Sequence, residues 1–216
     1  MGYNPQTLNR CPIRCGLGAA AAALLCLLMF SRPGLGQPES PPPDIRVGGI
    51  KPAVPLTTAE VLKPGLSVFY ISGFFRHIDD MLSREGGRKQ GKPGPPILQL
   101  NHQFDKGPVF DSGKTRGVGV YLFGLIRLSQ PGRYIFTAQS NDGIRVFIND
   151  RMVINDPEVH GARFSNRGIV EIEDAGWYDI AVQYFQRKGT AMLEFYWQMP
   201  GADDRVIVPA EVLAHR

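Results

Sequence analysis

Apolar and polar positions alternate along much of the second half of the chain. Two runs between residues 131 and 156 each turn three apolar side chains to one face: Tyr134, Phe136 and Ala138, then Ile144, Val146 and Ile148. Successive side chains of a strand point to opposite faces, so this alternation predicts half-buried antiparallel strands. Ser140–Gly143 forms the turn after the first run, with Gly143 expected to take positive φ. Asn149–Asp150 forms the turn after the second.

The same alternation continues to residue 197 and is interrupted by glycine-containing turns. The apolar positions that share a face are Val170 and Ile172, then Tyr178, Ile180, Val182 and Tyr184, then Leu193, Phe195 and Trp197. The residues expected to build the core are Phe136, Val146, Ile180, Val182, Phe195 and Trp197. No 3.6-residue periodicity of useful length follows the first 36 residues, so the pattern predicts an all-β antiparallel sandwich or barrel.

The stretch from residue 65 to residue 130 is less regular. Gly65–Phe75 reads as the first strand, and the short stretch from His77 to Leu82 predicts one helical turn. Arg84–Pro96 carries four glycines and three prolines and predicts a solvated loop. Ile97–Phe104 and 118–128 are further predicted strands. Gly124 lies in the second of these, where it indicates a bulge or a close backbone approach.

Several motifs in this order resemble those of the PA-fourteen domain, the β-rich domain named after the anthrax toxin protective antigen. They are Pro-Gly-x-Tyr-x-Phe from Pro131, Ser-x-Asp-Gly from Ser140, Ala-Gly-Trp-Tyr-Asp from Ala175, and the closing segment Val206–Leu213. The resemblance covers about residues 66–213. It implies the family's β fold for residues 65–216. Because the family also occurs in fungal adhesins and in carbohydrate-active enzymes, it also implies contact with carbohydrate.

The N-terminal part predicts export. Arg10 and Arg14 precede an apolar run from Leu17 to Phe30, and a small-x-small cleavage site ends at Gly36. Residues 1–36 are therefore interpreted as a signal peptide, with a signal anchor as the alternative. The apolar run is short for a membrane span of about 20 residues, so no stable span is expected after processing. Residues 37–64 contain seven prolines and predict an extended linker whose last part lies along the domain as an edge.

Charge and cysteine content give no sign of nucleic-acid binding or disulfides. Three of the 24 basic residues and none of the 20 acidic residues lie in positions 1–36, so the remainder has a net charge of +1. Near-neutral charge gives no reason to expect a nucleic-acid partner. All three cysteines also lie in the first 36 residues. The remainder must be held together by its core, and its length is sufficient for that.

The sequence shows no catalytic constellation. The four histidines are dispersed, and no Gly-x-Ser-x-Gly motif occurs. Asp111–Thr115 ends like a phosphate-binding loop, but Pro108 stands where the first glycine would be and a strand-like run follows. We therefore expect a non-enzyme.

The best candidate for chemistry is the turn with Asn141 and Asp142. In the fungal adhesins of the PA-fourteen family, two adjacent aspartates at this place bind calcium, which in turn binds sugar hydroxyls. Asp142 matches the second aspartate, whereas Asn141 replaces the first and removes one charge. Further ligand oxygens are expected from the Asn155–Asp156 segment or from the loop through Glu158 and His160. The competing interpretation gives Asp142 a structural role, bonding the amides of the turn.

Aromatic side chains on the outer faces offer a second way to bind sugars without metal. Phe147, Phe164 and Tyr196 lie outside the inward sets, although such residues also pack under loops. The leading hypothesis is thus an exported, non-catalytic module that binds carbohydrate or a glycan-bearing surface. The alternatives are a structural or protein-interaction module of the cell envelope and an accessory domain of a glycan-active enzyme.

Overall fold

The computed structural model describes residues 42–56, 61–83 and 91–216. The predicted signal peptide, residues 37–41 and 57–60 of the predicted linker, and residues 84–90 of the predicted loop lie outside the described residues. Among the described residues, no helix combines the length and the apolar character that crossing a membrane requires.

The described chain is nearly all β. Its strands are β1 Ile45–Ile50, β2 Val54–Pro55, β3 Lys63–Pro64, β4 Leu66–Ser72, β5 Lys92–Ile97, β6 Asn101–Asp105, β7 Val118–Leu128, β8 Gly132–Ser140, β9 Ile144–Ile148, β10 Arg151–Asp156, β11 Arg163–Phe164, β12 Gly168–Ile172, β13 Gly176–Gln186, β14 Ala191–Gln198, β15 Val206–Ile207 and β16 Leu213–His215. One short helix, α1 Ile78–Ser83, and two 3-10 turns, Phe110–Ser112 and Ala210–Val212, complete the described elements.

The strands form two sheets that face each other. Within the described residues, sheet A has seven strands, with the main order β1-β12-β8-β14-β15; off this order, β11 pairs with β8 and β6 with β14. Sheet B has nine, with the main order β10-β9-β13-β7-β16-β3, and β2, β4 and β5 pair alongside. All described pairs are antiparallel except β1 with β12, which is parallel. The predicted antiparallel β-sandwich is confirmed.

The core lies between the sheets and is built from the inward positions that the alternation predicts. All six residues expected there are buried, with exposures of 0–3%. Phe136 stacks on Phe195 at a ring-centroid distance of 5.5 Å, and Trp197 lies 6.5 Å from Phe136. Sheet B contributes Val146, Ile180 and Val182, among others, to the same cluster. Period-2 patterning therefore predicted the facing of the central strands correctly.

A second, smaller cluster packs α1 onto the outer face of sheet B. Ile78 and Met81 of α1 are fully buried against Phe75 and Phe185. The rings of Phe75 and Phe185 meet edge to face at 6.2 Å. The predicted helical turn is therefore present, and it covers part of a sheet face that would otherwise be solvated.

Two proline-rich segments differ from their predicted irregular form. Residues 45–50 of the predicted linker form β1, and residues 92–97 of the predicted loop form β5. β1 lies at an edge of sheet A, and β5 pairs with β4 alone. A strand at an edge needs only half of its backbone donors, so these positions accept proline nearby or within the strand. The edge position expected near Pro64 is present as β3, which pairs with β16.

The turn at Ser140–Gly143 also differs from a simple hairpin. β8 belongs to sheet A and β9 to sheet B, so this turn is a corner that carries the chain from one sheet to the other. Asn149–Asp150, in contrast, closes the β9–β10 hairpin, and both residues have positive φ, as predicted. Gly124 makes the predicted close approach, because a Cβ there would collide with the Ala214 carbonyl oxygen.

The aromatic part of the core is expected to carry much of the stability. Phe136→Ala or Trp197→Ala removes a buried ring and should lower the free energy of unfolding by about 3–5 kcal/mol. Urea unfolding, followed by circular dichroism, measures the loss. Phe164→Ala, which changes a 40% exposed side chain, is the matched control and should cost much less. An unchanged transition for both core variants would show that the facing of β8 and β14 is wrong.

Candidate functional site

The Ser140–Gly143 corner lies at one end of the sandwich and is bound by backbone hydrogen bonds from three directions. The Asn141 amide donates to Met192 O at 3.1 Å, and the Asp142 amide donates to His160 O at 2.9 Å. The Phe185 amide donates to Gly143 O at 3.1 Å. The corner is therefore joined to both sheets and to the 157–162 loop.

The side chain of Asp142 points into this end of the sandwich. The residue is 2% exposed, and its Oδ2 accepts the backbone N–H of Arg187 at 2.7 Å. Burial raises the pKa of the Asp142 carboxyl, although the amides of Arg187 and Lys188 and the neighbouring His160 oppose that rise. Asp142 has a φ of 63°, a left-handed value that aspartate tolerates better than most residues. These contacts favour the structural interpretation of Asp142.

Gly143 is required for a different reason from the one predicted. It does not have positive φ, which falls on Asp142 instead. A Cβ at Gly143 would collide with the Phe185 ring and lie 2.6 Å from Pro157 O. The prediction of positive φ at Gly143 is thus wrong, and close packing explains the glycine.

Three of the five predicted site residues come together beside this corner. Asp156 is 4% exposed and accepts two hydrogen bonds from Arg163, at 3.0 and 2.6 Å. His160 Nε2 lies 3.2 Å from Asp156 Oδ2, and the His160 carbonyl oxygen accepts from Asp142. The buried carboxylate of Asp156 is therefore already paired with the guanidinium of Arg163. This pair fixes the 157–162 loop between the two residues.

The other two predicted residues have different surroundings. Asn155 Oδ1 accepts from Arg145 Nε at 2.8 Å, and Arg145 also pairs with Asp79 at 2.8 Å. Asn155 thus belongs to a network that ties α1 to β9 and β10. Asn141 is half-buried and contacts Met192 through its backbone.

The donor set at the corner does not resemble a ready calcium site. Calcium takes six to eight oxygen ligands. Asp142 Oδ2 is bonded to a backbone amide and Asp156 to Arg163. Across residues 42–56, 61–83 and 91–216, no three His, Cys, Asp or Glu residues are grouped as metal ligands. Calcium binding at this corner stays a prediction.

An open pocket of about 410 Å³ adjoins the corner, and we call it the end pocket. Its lining residues are Arg76, His77, Glu158, Val159 and Arg187. His77 and Glu158 form a backbone bridge, and the Ile78 amide donates to Pro157 O at 2.9 Å. Three separate loops therefore meet here, and the backbone of Arg187 links the pocket to Asp142.

The end pocket carries cationic groups with unused hydrogen-bonding capacity. Arg187 Nε is buried and has no hydrogen-bond partner within the described part of the chain. Arg76 is exposed, and His77 Nδ1 accepts the Asp79 amide at 3.1 Å. Guanidinium groups are planar donors that bind paired oxygens well. The sequence did not indicate this pocket, because Arg76, Glu158 and Arg187 are far apart in the chain and no motif links them.

The aromatic residues proposed for sugar contact lie on two different faces. Phe164 and Tyr196 meet at 5.7 Å on sheet A, where Arg205 stacks over both rings at 4.0 and 5.2 Å. Phe147 is half-buried and lines a cavity of about 380 Å³ on the outer face of sheet B, together with Tyr121 and Phe123. The three residues therefore do not form one platform.

Comparison with known proteins places this fold in a recognised class. The family model of the PA14 domain matches residues 118–211. The PA14 domain of the MpAFP antifreeze protein superposes with a TM-score of 0.58 at 16% identity, covering 74% of this chain and 94% of that one. The PA14 resemblance that the sequence predicts is confirmed.

Two further proteins are similar over parts of their length. The Epithelial Adhesin 6 A domain from Candida glabrata, solved in complex with Galb1-3GlcNAc, has a TM-score of 0.57 at 12% identity, covering 76% of this chain and 92% of that one. The anti-sigma-I factor RsgI3 of Acetivibrio thermocellus is 26% identical over 114 residues, or 53% of this chain. Those residues span only 18% of RsgI3. The structural likenesses show a shared fold.

Gly143 offers a direct test of the corner's packing. Gly143→Ala should destabilise the domain by about 1–3 kcal/mol, because the added methyl group forces Phe185 and Pro157 apart. Thermal unfolding measures the change. Gly161→Ala in the adjacent loop, where a Cβ meets nothing within 4 Å, is the control and should be nearly neutral. Equal melting temperatures for the two variants would contradict the close packing at Gly143.

Asp142 should make stability depend on pH in a defined direction. Its pKa is raised in the folded state, so folding favours the protonated form, and that contribution is lost as the pH rises through the folded pKa. An asparagine side chain in its place would accept the same backbone hydrogen bond without charge. Asp142→Asn should therefore gain stability relative to the unmodified protein as the pH rises above about 4.

Melting temperatures of both proteins across a pH series measure this difference. Asp203→Asn, at an exposed position, controls for the change in net charge. A melting temperature of the Asp142→Asn variant that falls relative to that of the unmodified protein as the pH rises would contradict the burial argument.

Proposed function

We propose that this protein is an exported, non-catalytic binding module that takes the end of a glycan chain in the end pocket. The observation that carries the proposal is the pocket itself, an open cavity of about 410 Å³ with Arg76, His77, Glu158 and Arg187 at its walls. Open pockets of this size, with a few convergent polar groups, suit small ligands. The fold, shared with an adhesin domain solved with a bound glycan, supports the same class of ligand.

The polar groups of the end pocket match the chemistry of sugar hydroxyls. A guanidinium donates paired hydrogen bonds to neighbouring oxygens, and a carboxylate accepts from two hydroxyls. Arg187 and Glu158 supply one group of each kind on facing loops. The pocket is small and has five lining residues, so it suits a single terminal sugar rather than the middle of a chain.

In this proposal Asp142 has a positioning role. Its carboxylate holds the backbone of Arg187 at 2.7 Å, and it thereby fixes where the Arg187 side chain begins. Calcium would be an additional ligand and is proposed only as a test condition. The leader expected at residues 1–36 supports export.

A second candidate function is a protein-interaction module, and one observation favours it. The outer face of sheet B carries partly exposed aromatic rings beyond the area that α1 covers, including Phe69 and Phe123, which stack at 5.9 Å. Aromatic side chains are enriched at the centres of protein interfaces. This face is separate from the end pocket, so the two candidates predict different sensitive residues.

Binding to a glycan array tests the proposal. The unmodified protein is expected to bind at least one short glycan, and Arg187→Gln is expected to weaken that binding by about tenfold, the effect of about 1.4 kcal/mol. Arg151→Gln, at an exposed position in the β9–β10 hairpin, is the control and should bind normally. Thermal melts of all three proteins show whether a loss reflects unfolding.

The same array, read with calcium and with a chelator, separates the two roles considered for the corner. If Asp142 is structural, chelation leaves binding unchanged, and Asn141→Asp gains nothing. If the chelator abolishes binding and Asn141→Asp strengthens it, the corner is a calcium site. No binding to any glycan under either condition would overturn the proposal and favour the protein-interaction module.

A further inference from the structure

The outer face of sheet A holds two adjoining cavities, and neither is lined by residues of the Asp142 corner. The first, of about 580 Å³, is lined by Gly48, Arg133 and Glu171, among others, and the second, of about 340 Å³, by Thr137 and Arg205, among others. Ile135 and Gln198 line both, so the cavities adjoin each other across β8 and β14. We call this pair of cavities the sheet A groove. It shares no lining residue with the end pocket.

Thr137 gives the groove a buried polar group with no protein partner. It alternates along β8 with the inward-facing Phe136 and Ala138 and so lies on the outer face, yet it is only 4% exposed. Its Oγ1 is buried and makes no hydrogen bond to any residue that the structure describes. A buried hydroxyl without a partner costs free energy, so such groups are rare unless a ligand or solvent satisfies them. Thr137 lines the second cavity, so a molecule bound there lies against this side chain.

Arg205 forms one wall of the second cavity and is held there by aromatic rings. Its guanidinium lies 4.0 Å from the ring centre of Phe164 and 5.2 Å from that of Tyr196. Within the described residues it forms no ion pair, so its N–H groups are available to a ligand. Stacking fixes the plane of the guanidinium and reduces the entropy lost when a ligand binds.

The charges around the groove nearly cancel, which points to a neutral ligand. Arg133 pairs with Glu171, and Arg167 pairs with Asp44, at 3.2 and 2.7 Å. Arg205 stands near the exposed acids Asp203 and Asp204 along the same wall. Hydroxyl groups can donate to these carboxylates and accept from the guanidinium. A charged ligand, in contrast, would be repelled by the groups of like charge.

We propose that the sheet A groove binds an internal segment of a neutral oligosaccharide or polysaccharide chain. Thr137 and Arg205 hydrogen-bond to sugar hydroxyls in the second cavity, and the chain continues past Ile135 and Gln198 into the first. Each cavity falls in the size range of small-molecule sites, roughly 300–1,000 Å³, and an open groove admits a chain without requiring its end. The inference rests on the proposed function for the class of ligand, but it names a different site.

Two substitutions probe the groove with little risk to folding. Thr137→Val keeps the shape of the side chain and removes the unpaired hydroxyl, so the melting temperature should stay the same or rise. Gly48→Trp fills the first cavity. A Cβ at Gly48 meets nothing within 4 Å, and Gly48 is not among the glycines with positive φ. Arg151→Gln serves as the control on another surface.

Affinity electrophoresis through gels that contain soluble xyloglucan, galactomannan or mixed-linkage β-glucan is the experiment. These long chains present many internal segments and few ends. The unmodified protein should be retarded by at least one of them. Thr137→Val and Gly48→Trp should each weaken that retardation by about tenfold, which corresponds to about 1.4 kcal/mol. Arg151→Gln and the end-pocket variant Arg187→Gln should be retarded normally.

The outcomes separate the two sites. Loss of retardation in the groove variants alone supports the groove, whatever the glycan array shows for the end pocket. Loss in Arg187→Gln alone overturns the groove and leaves the end pocket. No retardation of the unmodified protein by any polysaccharide overturns the groove, even if short glycans bind on the array. Retention of the unmodified protein on immobilised extended peptides but on no polysaccharide overturns it in favour of a peptide groove.

Discussion

The buried carboxylate of Asp142 is the constraint on which this end of the sandwich depends. The chain leaves sheet A at Ser140 and enters sheet B at Ile144, so the residues between them must cross from one layer to the other. Asp142 takes a left-handed φ, and its side chain accepts the amide of Arg187 at the end of β13. A buried charge is costly, and the amide of Arg187 offsets part of that cost here. The ends of β8, β9 and β13 are thus linked to one another through Asp142.

That constraint has a functional consequence, because the segments next to the corner are held in fixed positions as well. Asp142 accepts a hydrogen bond from the backbone of Arg187 and so fixes that residue's position. The 157–162 loop is fixed by the Asp156–Arg163 pair. Binding sites on rigid supports lose less entropy when a ligand binds. The sheet A groove has a different origin. Its floor is the outer face of β8 and β14, and its walls come from loops that cross that face. One sandwich therefore offers an end site and a face site with separate supports.

Much of the fold was predictable because a strand's facing depends on local alternation. Phe136, Val146 and Trp197 are buried as their positions in the period-2 pattern require. The hairpin at Asn149–Asp150 followed from residues that tolerate positive φ. Edge strands were harder, since β1 and β5 lie in proline-rich segments whose composition favours irregular structure. Only pairing with β12 and β4, distant in sequence, gives these segments a strand conformation.

The sequence by itself determined the central strands, the core face and the position of the Asp142 turn, because these depend on neighbouring residues. It did not determine that the turn is a corner between sheets, since a tight hairpin and a crossing use the same turn residues. It did not reveal that Gly143 is needed for space beside Phe185. The end pocket and the sheet A groove were decided only by tertiary structure. The fold brings distant segments together, so that Arg76 and Arg187 line one pocket and Thr137 and Arg205 another. A local sequence pattern does not show which distant residues become neighbours.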